Sequence, residues 1–479
     1  MSTLAHEWRL LIRSRLTVAA LLLLLMLTTL AVAAGMAQVR TEAATIARLT
    51  AMHDAAVSTN RDPTHGGDAG YVAYYTFFPT WQSPSAASFL AAGMRDVSPY
   101  VLRVRALALQ SQLHDGETLN PEVAVLGRFD LAFVLTYLAP LFVIALLHDL
   151  VSDERQSGRL RLLLTLPGPV AALWWRRAAL RFLALFTCIA VPVVVGSGLQ
   201  GLALPALASV LTIVAAYLAF WVGLAMIVGA RPWRPATHAI ALMGVWAVLT
   251  LVLPGLAHLV SARAAPVGQG IDLTLTQREH INAAWDRPRG ETMQAFVTTH
   301  PEWSDTAPLP EKFHWKWYFA FHQLGDEAVA PDARAYRDGM LTRQSWSELS
   351  GWVLPGVAVQ VALQRLADTD LHAQLAFQDR VTAFHDRLRA FYYPFVFNDV
   401  RFTRNDVARL PRFKECLEAA PPASTPQAAW AETGAHNTPP AATVAAPGWA
   451  RVAASGMLML LLGGLAVRRI RLDTSGVRP

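Results

Sequence analysis

The residues best able to do chemistry in this 479-residue chain fall into three groups. Gly196-Ser197-Gly198 closes an apolar run and would set a serine within a membrane, where His238 or His258 could serve as its base. A loop that permits a tight turn between two apolar runs needs the same residues. His300, His314 and His322 could ligate a metal, and Phe313, Trp315, Trp317, Tyr318, Phe319 and Phe321 among them could wall a ligand site. None of the three histidines stands four residues from another, the spacing at which a helix presents a ligand pair, and no cysteine accompanies them. The reading without a metal is preferred, and the aromatics then serve as domain core or as an interfacial belt. Cys188 lies in an apolar run and Cys416 in a polar segment, so neither a disulfide nor a thiolate metal site is expected. The chain has no Gly-Lys dipeptide and no His-Glu-x-x-His, so it carries neither a P-loop nor a zincin motif.

The third group is a charged loop, Asp149 to Pro167. Asp153 and Glu154 open a short amphipathic stretch, where carboxylates suit the positive end of a helix. Leu160, Leu163, Leu164 and Leu166 would face a membrane or a partner's groove. Arg155, Arg159 and Arg161 would face headgroups or an acidic protein, and Pro167 would end the helix. By composition alone this could be an interfacial anchor helix.

The elements that would position these groups are set by composition. Residues are 53% hydrophobic and only 16% charged, with a mean hydropathy of +0.31. Soluble domains carry about 25% charged residues. The apolar excess is gathered into uncharged runs of roughly 20 residues, enough to cross a bilayer core of about 30 Å. Six are expected: 16–37, 129–148, three within 178–260 (178–195, 202–228 and 239–260), and 452–467. The first is too long for a signal-peptide apolar region, so an uncleaved anchor is expected.

Of 41 basic residues only Lys312, Lys316 and Lys414 are lysines. The arginines gather at the ends of the apolar runs rather than in a basic stripe, which argues against a nucleic-acid partner. With the N-terminus in the cytoplasm, arginine occupies every inner segment: residues 1–15, the loop 149–177 with the start of the third run, the turn 229–238 and the tail 468–479. Both termini are therefore expected to be cytoplasmic. No Asp, Glu, Lys or Arg lies near the middle of a run; Asp130, His148 and Arg181 fall near ends. An intramembrane charge costs roughly 2.5–3.5 kcal/mol and usually marks an ion path. Transport, if any, must draw its energy from elsewhere.

Residues 38–128 and 261–451 are then expected outside the membrane, as a mainly helical domain. Apolar positions Phe377, Val381, Phe384, Leu388 and Phe391 follow helical spacing, and Glu311 to Leu324 reads as another helix. Six prolines make Ala419 to Pro447 a linker. The fold class expected is an all-α polytopic membrane protein with six transmembrane helices and a helical extracytoplasmic domain.

Glu154-Arg-Gln-Ser-Gly158-x-Leu160-x-Leu162-Leu163-x-x-x-Pro167 resembles the segment after the second span in permeases of ABC-2-type exporters. The arginine-rich opening Glu7-Trp-Arg-Leu-Leu-Ile-Arg13 and the six runs agree with that resemblance. The segment Leu354-Pro-Gly-Val to Asp370, followed by His372 and Phe377, is similar to a subgroup with a large outer domain of uncharacterised function, grouped with permeases of multicopper-enzyme maturation. Ala367-Asp368-Thr369-Asp370 departs from that subgroup, where glycine at the second position would favour a tight turn.

The resemblance implies a permease in a Gram-negative inner membrane that holds no cofactor itself. Two copies of a separate ABC ATP-binding subunit would carry ATP and Mg²⁺, and a second permease, identical or paralogous, would complete the path. Coupling to the ATPase would fall to Asp153, Glu154, Arg155, Gly158, Leu160, Leu163 and Pro167. The alternative is a membrane scaffold whose outer domain binds an envelope partner.

Overall fold

The computed structural model describes residues 3–59, 67–114, 128–165, 170–268, 270–310, 312–414 and 448–470. Helix α1 (Thr3–Arg13) ends at Ser14, whose Oγ accepts from the Thr17 amide at 3.4 Å and so starts α2 (Arg15–Thr59). At about 1.5 Å per residue the 45 residues of α2 reach some 68 Å, more than twice a bilayer core. Its length therefore exceeds what a single crossing of a bilayer core needs.

Beyond it lie α3 (Ala69–Tyr75), strands β1 (Phe78–Trp81) and β2 (Val101–Val104), and α4 (Gln110–His114). The strands pair antiparallel, with Phe78 opposite Val104 and Trp81 opposite Val101. This short pair is the one sheet among the described residues; the rest of the fold is helical.

Helix α5 (residues 131–147) is followed by the short α6 (Ser152–Gln156) and α7 (Arg159–Thr165). Then come α8 (Val170–Gln200), α9 (Leu204–Gly229) and α10 (residues 235–264). The domain resumes with α11 (Gly270–Trp285), α12 (Arg289–Thr299), α13 (Trp315–Ser350), α14 (Pro355–Leu366), α15 (Leu371–Phe397) and α16 (Arg404–Val407). The last helix is α17 (Gly448–Arg468).

Six of these helices are long and apolar enough to cross a membrane: α2, the helix from Leu131, α8, α9, α10 and α17. Helices α9 and α17 make the tightest pair. A Cβ on Gly456 would strike the Ala216 carbonyl, and one on Gly223 or Gly463 would strike the facing backbone. Small residues seven apart on both helices thus let backbone meet backbone, the usual basis of helix association in lipid.

Helix α5 contains a π-helical turn at Val134–Leu138, and α10 another at Val248–Val252. Each precedes a proline, Pro140 and Pro254, which cannot donate to the carbonyl four residues back. The carbonyl that Pro140 frees is that of Thr136, and the buried Tyr217 hydroxyl of α9 donates to it at 3.0 Å.

One helix of the domain belongs to the bundle core. Val359 and Leu363 of α14 are fully buried among α5 and α9 residues, with Ala358 and Ala362 beside them. Gly356 sits where an added Cβ would lie 3.2 Å from the Thr136 methyl, so α14 meets the bundle at the π turn of α5. Hydrogen bonds close the joint. Ser85 and Ser88 Oγ donate to the Ala367 carbonyl at 2.8 and 3.0 Å, and Thr369 Oγ1 donates to that of Ala91 at 3.0 Å. The turn after α14 forms with aspartate in place of glycine. Asp368 has φ +54°, the left-handed region that Asp tolerates better than most side chains, and Asp370 then caps α15 through the Ala373 amide.

A second core fills the domain. Phe377, Val381, Phe384 and Leu388 of α15 are all fully buried, as their spacing predicts. The helix expected from Glu311 begins instead at Trp315, because His314 Nδ1 accepts from the Lys316 amide and caps it. It then runs on to Ser350, well beyond Leu324.

Candidate functional site

The charged loop folds as two short helices, α6 and α7, rather than as one amphipathic helix. Gly158 divides them at φ +74°, a conformation that side chains other than Gly, Asn and Asp rarely adopt. A Cβ there would meet nothing within 4 Å, so within this chain the glycine serves the backbone turn and not a close contact.

Glu154 is the centre of an ion-pair chain. Its Oε2 accepts from Arg159 Nε at 2.7 Å, and its Oε1 from Arg177 Nη1 at 2.8 Å. Arg177 Nε donates to Glu7 Oε2 at 3.0 Å, and Arg159 Nη2 donates to Asp153 Oδ2 at 2.9 Å. Helices α1, α6, α7 and α8 thus meet through five side chains. Glu154, Arg177 and Glu7 are each only 12–15% exposed, whereas Asp153 and Arg159 are about 60% exposed. The inner links are shielded and the outer one is open to solvent, where an ion pair contributes about 0–1 kcal/mol. Arg177 also lies over the buried Trp174 ring, 5.4 Å from its centre.

Arg155 Nη1 donates to the Arg231 carbonyl at 2.7 Å, which ties α6 to the turn between α9 and α10. Leu160 is buried in the bundle core, and Leu163 packs partly against it. Pro167 lies outside the described residues. Asp153, Glu154, Arg155, Gly158, Leu160 and Leu163 therefore gather at one end of the bundle, opposite to α14. The arginines expected to face headgroups or a partner are in part engaged within the chain: Arg159 with two carboxylates, Arg155 with a carbonyl. Sequence reasoning did not single out Glu7 and Arg177 as members of the site. Glu7 opens the segment that carries the α1 resemblance, its only signal in the sequence; Arg177 is one arginine among several at the ends of apolar runs.

Of the other candidate groups the aromatics pack on one another, while the serine and the histidines do not assemble. Ser197 is buried with no hydrogen-bond partner for its Oγ, so no base engages it, and His238 lies at the opposite end of the bundle. His300 contacts Glu327 at 3.3 Å and stacks on Phe296, while His314 pairs with Asp399 at 2.9 Å. His322 is packed against the rings of Tyr318 and Phe321, and burial pushes its pKa down to about 3. Among the described residues no three His, Cys, Asp or Glu side chains are placed to hold a metal ion. Trp317, Phe319 and Phe321 are core residues of the domain, while Phe313 is about half exposed. Cys188 is a free thiol, and Cys416 lies outside the described residues.

Residues 272–415 match a protein family described as a domain of unknown function, DUF3526. The matched stretch runs from α11 through α16 and includes α14, the helix that enters the bundle core. No curated protein matches the chain, and no solved structure does.

Proposed function

We propose that this chain is the permease subunit of an ATP-driven exporter of the ABC-2 type. Its loop end faces the cytoplasm, its helical domain lies on the outer side of a bacterial inner membrane, and ATP is hydrolysed by a separate subunit present in two copies. The observation that carries the reading is the Glu154 ion-pair chain. It joins the loop after the second span to the opening helix and to the third span, so a push on α6 and α7 reaches α1 and α8 through Arg177. The arginine-rich inner segments support the orientation, and the absence of charge near the middle of the spans supports an external energy source. A second permease, identical or paralogous, completes the translocation path.

The test is the ATPase activity of the complex purified with its ATP-binding subunit. Glu154→Arg sets a third cation between Arg159 and Arg177 and is expected to uncouple ATP hydrolysis while membrane insertion is retained. Reversing the three shielded links together, with Glu7→Arg, Glu154→Arg, Arg159→Glu and Arg177→Glu, restores ion pairs inside the chain. If Glu154 acts only as an internal brace, the fourfold variant recovers activity; if it also meets a basic residue of the ATPase, activity stays low. Full activity in Glu154→Arg would defeat the assignment. A chain that purifies with an envelope protein and no ATPase would be the scaffold instead.

A further inference from the structure

At the domain end of the bundle a cavity of about 240 Å³ opens between α2 and the start of α5. It has two unlike halves. Ala34 and Val39 of α2, with Phe89 and Phe129, make an apolar wall, and Ala34 is exposed on the apolar part of α2, which the six-span reading turns toward lipid. The inner half holds Arg95 and Arg128 with Glu42 and Asp130.

The carboxylates are fully used within the chain. Asp130 accepts from the Ala92 and Phe133 amides at 2.9 and 2.8 Å; Glu42 accepts from Gln38 at 2.9 Å and from Arg95. The guanidiniums are not. Arg95, with its side chain only 4% exposed, leaves Nε without an acceptor after its bonds to Glu42 and to the Gln82 and Ser83 carbonyls. Arg128 has Nε 2.5 Å from Asp96, yet its buried Nη1 has no acceptor and lies 4.0 Å from Glu42. A buried donor left without an acceptor costs about 1–3 kcal/mol, and more when charged. Two such donors around one cavity call for an anionic oxygen. A lateral apolar mouth calls for an alkyl chain beside it.

We propose that this cavity binds the phosphate of a membrane phospholipid, with Arg95 Nε and Arg128 Nη1 as donors and the first methylenes of the acyl chains along Ala34, Val39 and Phe129. The volume corresponds to roughly eight waters at about 30 Å³ each, which is room for a headgroup and not for a whole lipid. The inference rests on the six-span reading of the chain and not on exporter activity, so it stands or falls independently of the ATPase partner.

The test is native mass spectrometry of the full chain released from nonionic detergent after exchange into phosphatidylglycerol, phosphatidylethanolamine or diacylglycerol of the same chains. Both phospholipids are expected to remain as one-to-one adducts, with diacylglycerol lost. Arg128→Gln, which removes the donor, and Ala34→Phe, which fills the mouth from an exposed position, are each expected to lower adduct occupancy about tenfold or more. Using both variants separates ligand loss from a folding defect at the Asp96 pair. Equal retention of diacylglycerol, displacement by inorganic phosphate alone, or wild-type adducts in both variants would overturn the proposal.

Discussion

The charged loop and α14 are held to the two ends of the bundle by different forces. At the loop end α1, α6, α7 and α8 meet through charged side chains, Glu7, Arg177, Glu154, Arg159 and Asp153, with the outermost pair open to solvent. At the domain end α14 is held by the burial of Val359 and Leu363, by the close approach at Gly356, and by hydroxyl groups donating to backbone carbonyls. An exposed ion pair such as Arg159–Asp153 can exchange partners at little cost, whereas a packed apolar joint has one arrangement. The contrast suits a molecule in which the loop is worked from one side while the domain moves as one piece with α5 and α9.

The sharpest way to break this comparison is at the apolar joint. Leu363→Ala should cost about 2–5 kcal/mol there and raise amide exchange throughout residues 355–366. Exchange in residues 152–165 should stay unchanged; if both ends loosen together, the two joints are not separate.

Acid should act on the domain and spare the loop. His322 and His385 are buried, and burial holds both in the neutral form, His322 with a pKa near 3 and His385 well below the ordinary 6.5. Above pH 6.5 neither folded nor unfolded chain binds these protons. As pH falls below 6.5 the unfolded chain takes them up and the folded one does not, so each histidine costs up to about 1.4 kcal/mol per pH unit. Thermal unfolding of the domain followed from pH 7 to pH 5 should show this loss, and His322→Phe should roughly halve it, His385 keeping its share. An unchanged slope in that variant would mean that His322 is protonated or solvated in the fold.

Salt should act the other way. Raising ionic strength screens the exposed Arg159–Asp153 pair, so exchange in residues 152–165 should rise by a few fold, consistent with a pair contributing at most about 1 kcal/mol. The apolar contacts of α14 should not respond; its Arg365–Glu348 pair, partly open to solvent, is screened as well. The smallest expected effect is a gain: Asp368→Gly relieves a left-handed backbone and should stabilise the domain by up to about 1 kcal/mol, seen as a modest rise in melting temperature.

What could be read from the sequence was local. The apolar runs, their arginine ends and the helical spacing from Phe377 to Leu388 each depend on neighbours in the chain, and the corresponding helices are present. The details that escaped are those made by distant residues. Nothing in residues 354–366 marks α14 as a helix that packs on α5 and α9 rather than in the helical domain's own core. The meeting of Glu7, Glu154 and Arg177 spans 170 positions. The role of Pro140 depends on α9, whose Tyr217 hydroxyl donates to the Thr136 carbonyl that the proline leaves free. The strand pair at 78–81 and 101–104 is too short to show a convincing alternation.

In the proposed exporter the loop end works with an ATP-binding subunit. The decisive experiment is affinity purification of the full chain in mild detergent, with identification of co-purifying proteins and assay of ATP hydrolysis. A stoichiometric ATP-binding protein is expected, two copies per pair of permeases, with recovery or activity that falls in Glu154→Arg. Purification with no such protein, from cells in which the chain is abundant and membrane-inserted, would contradict it.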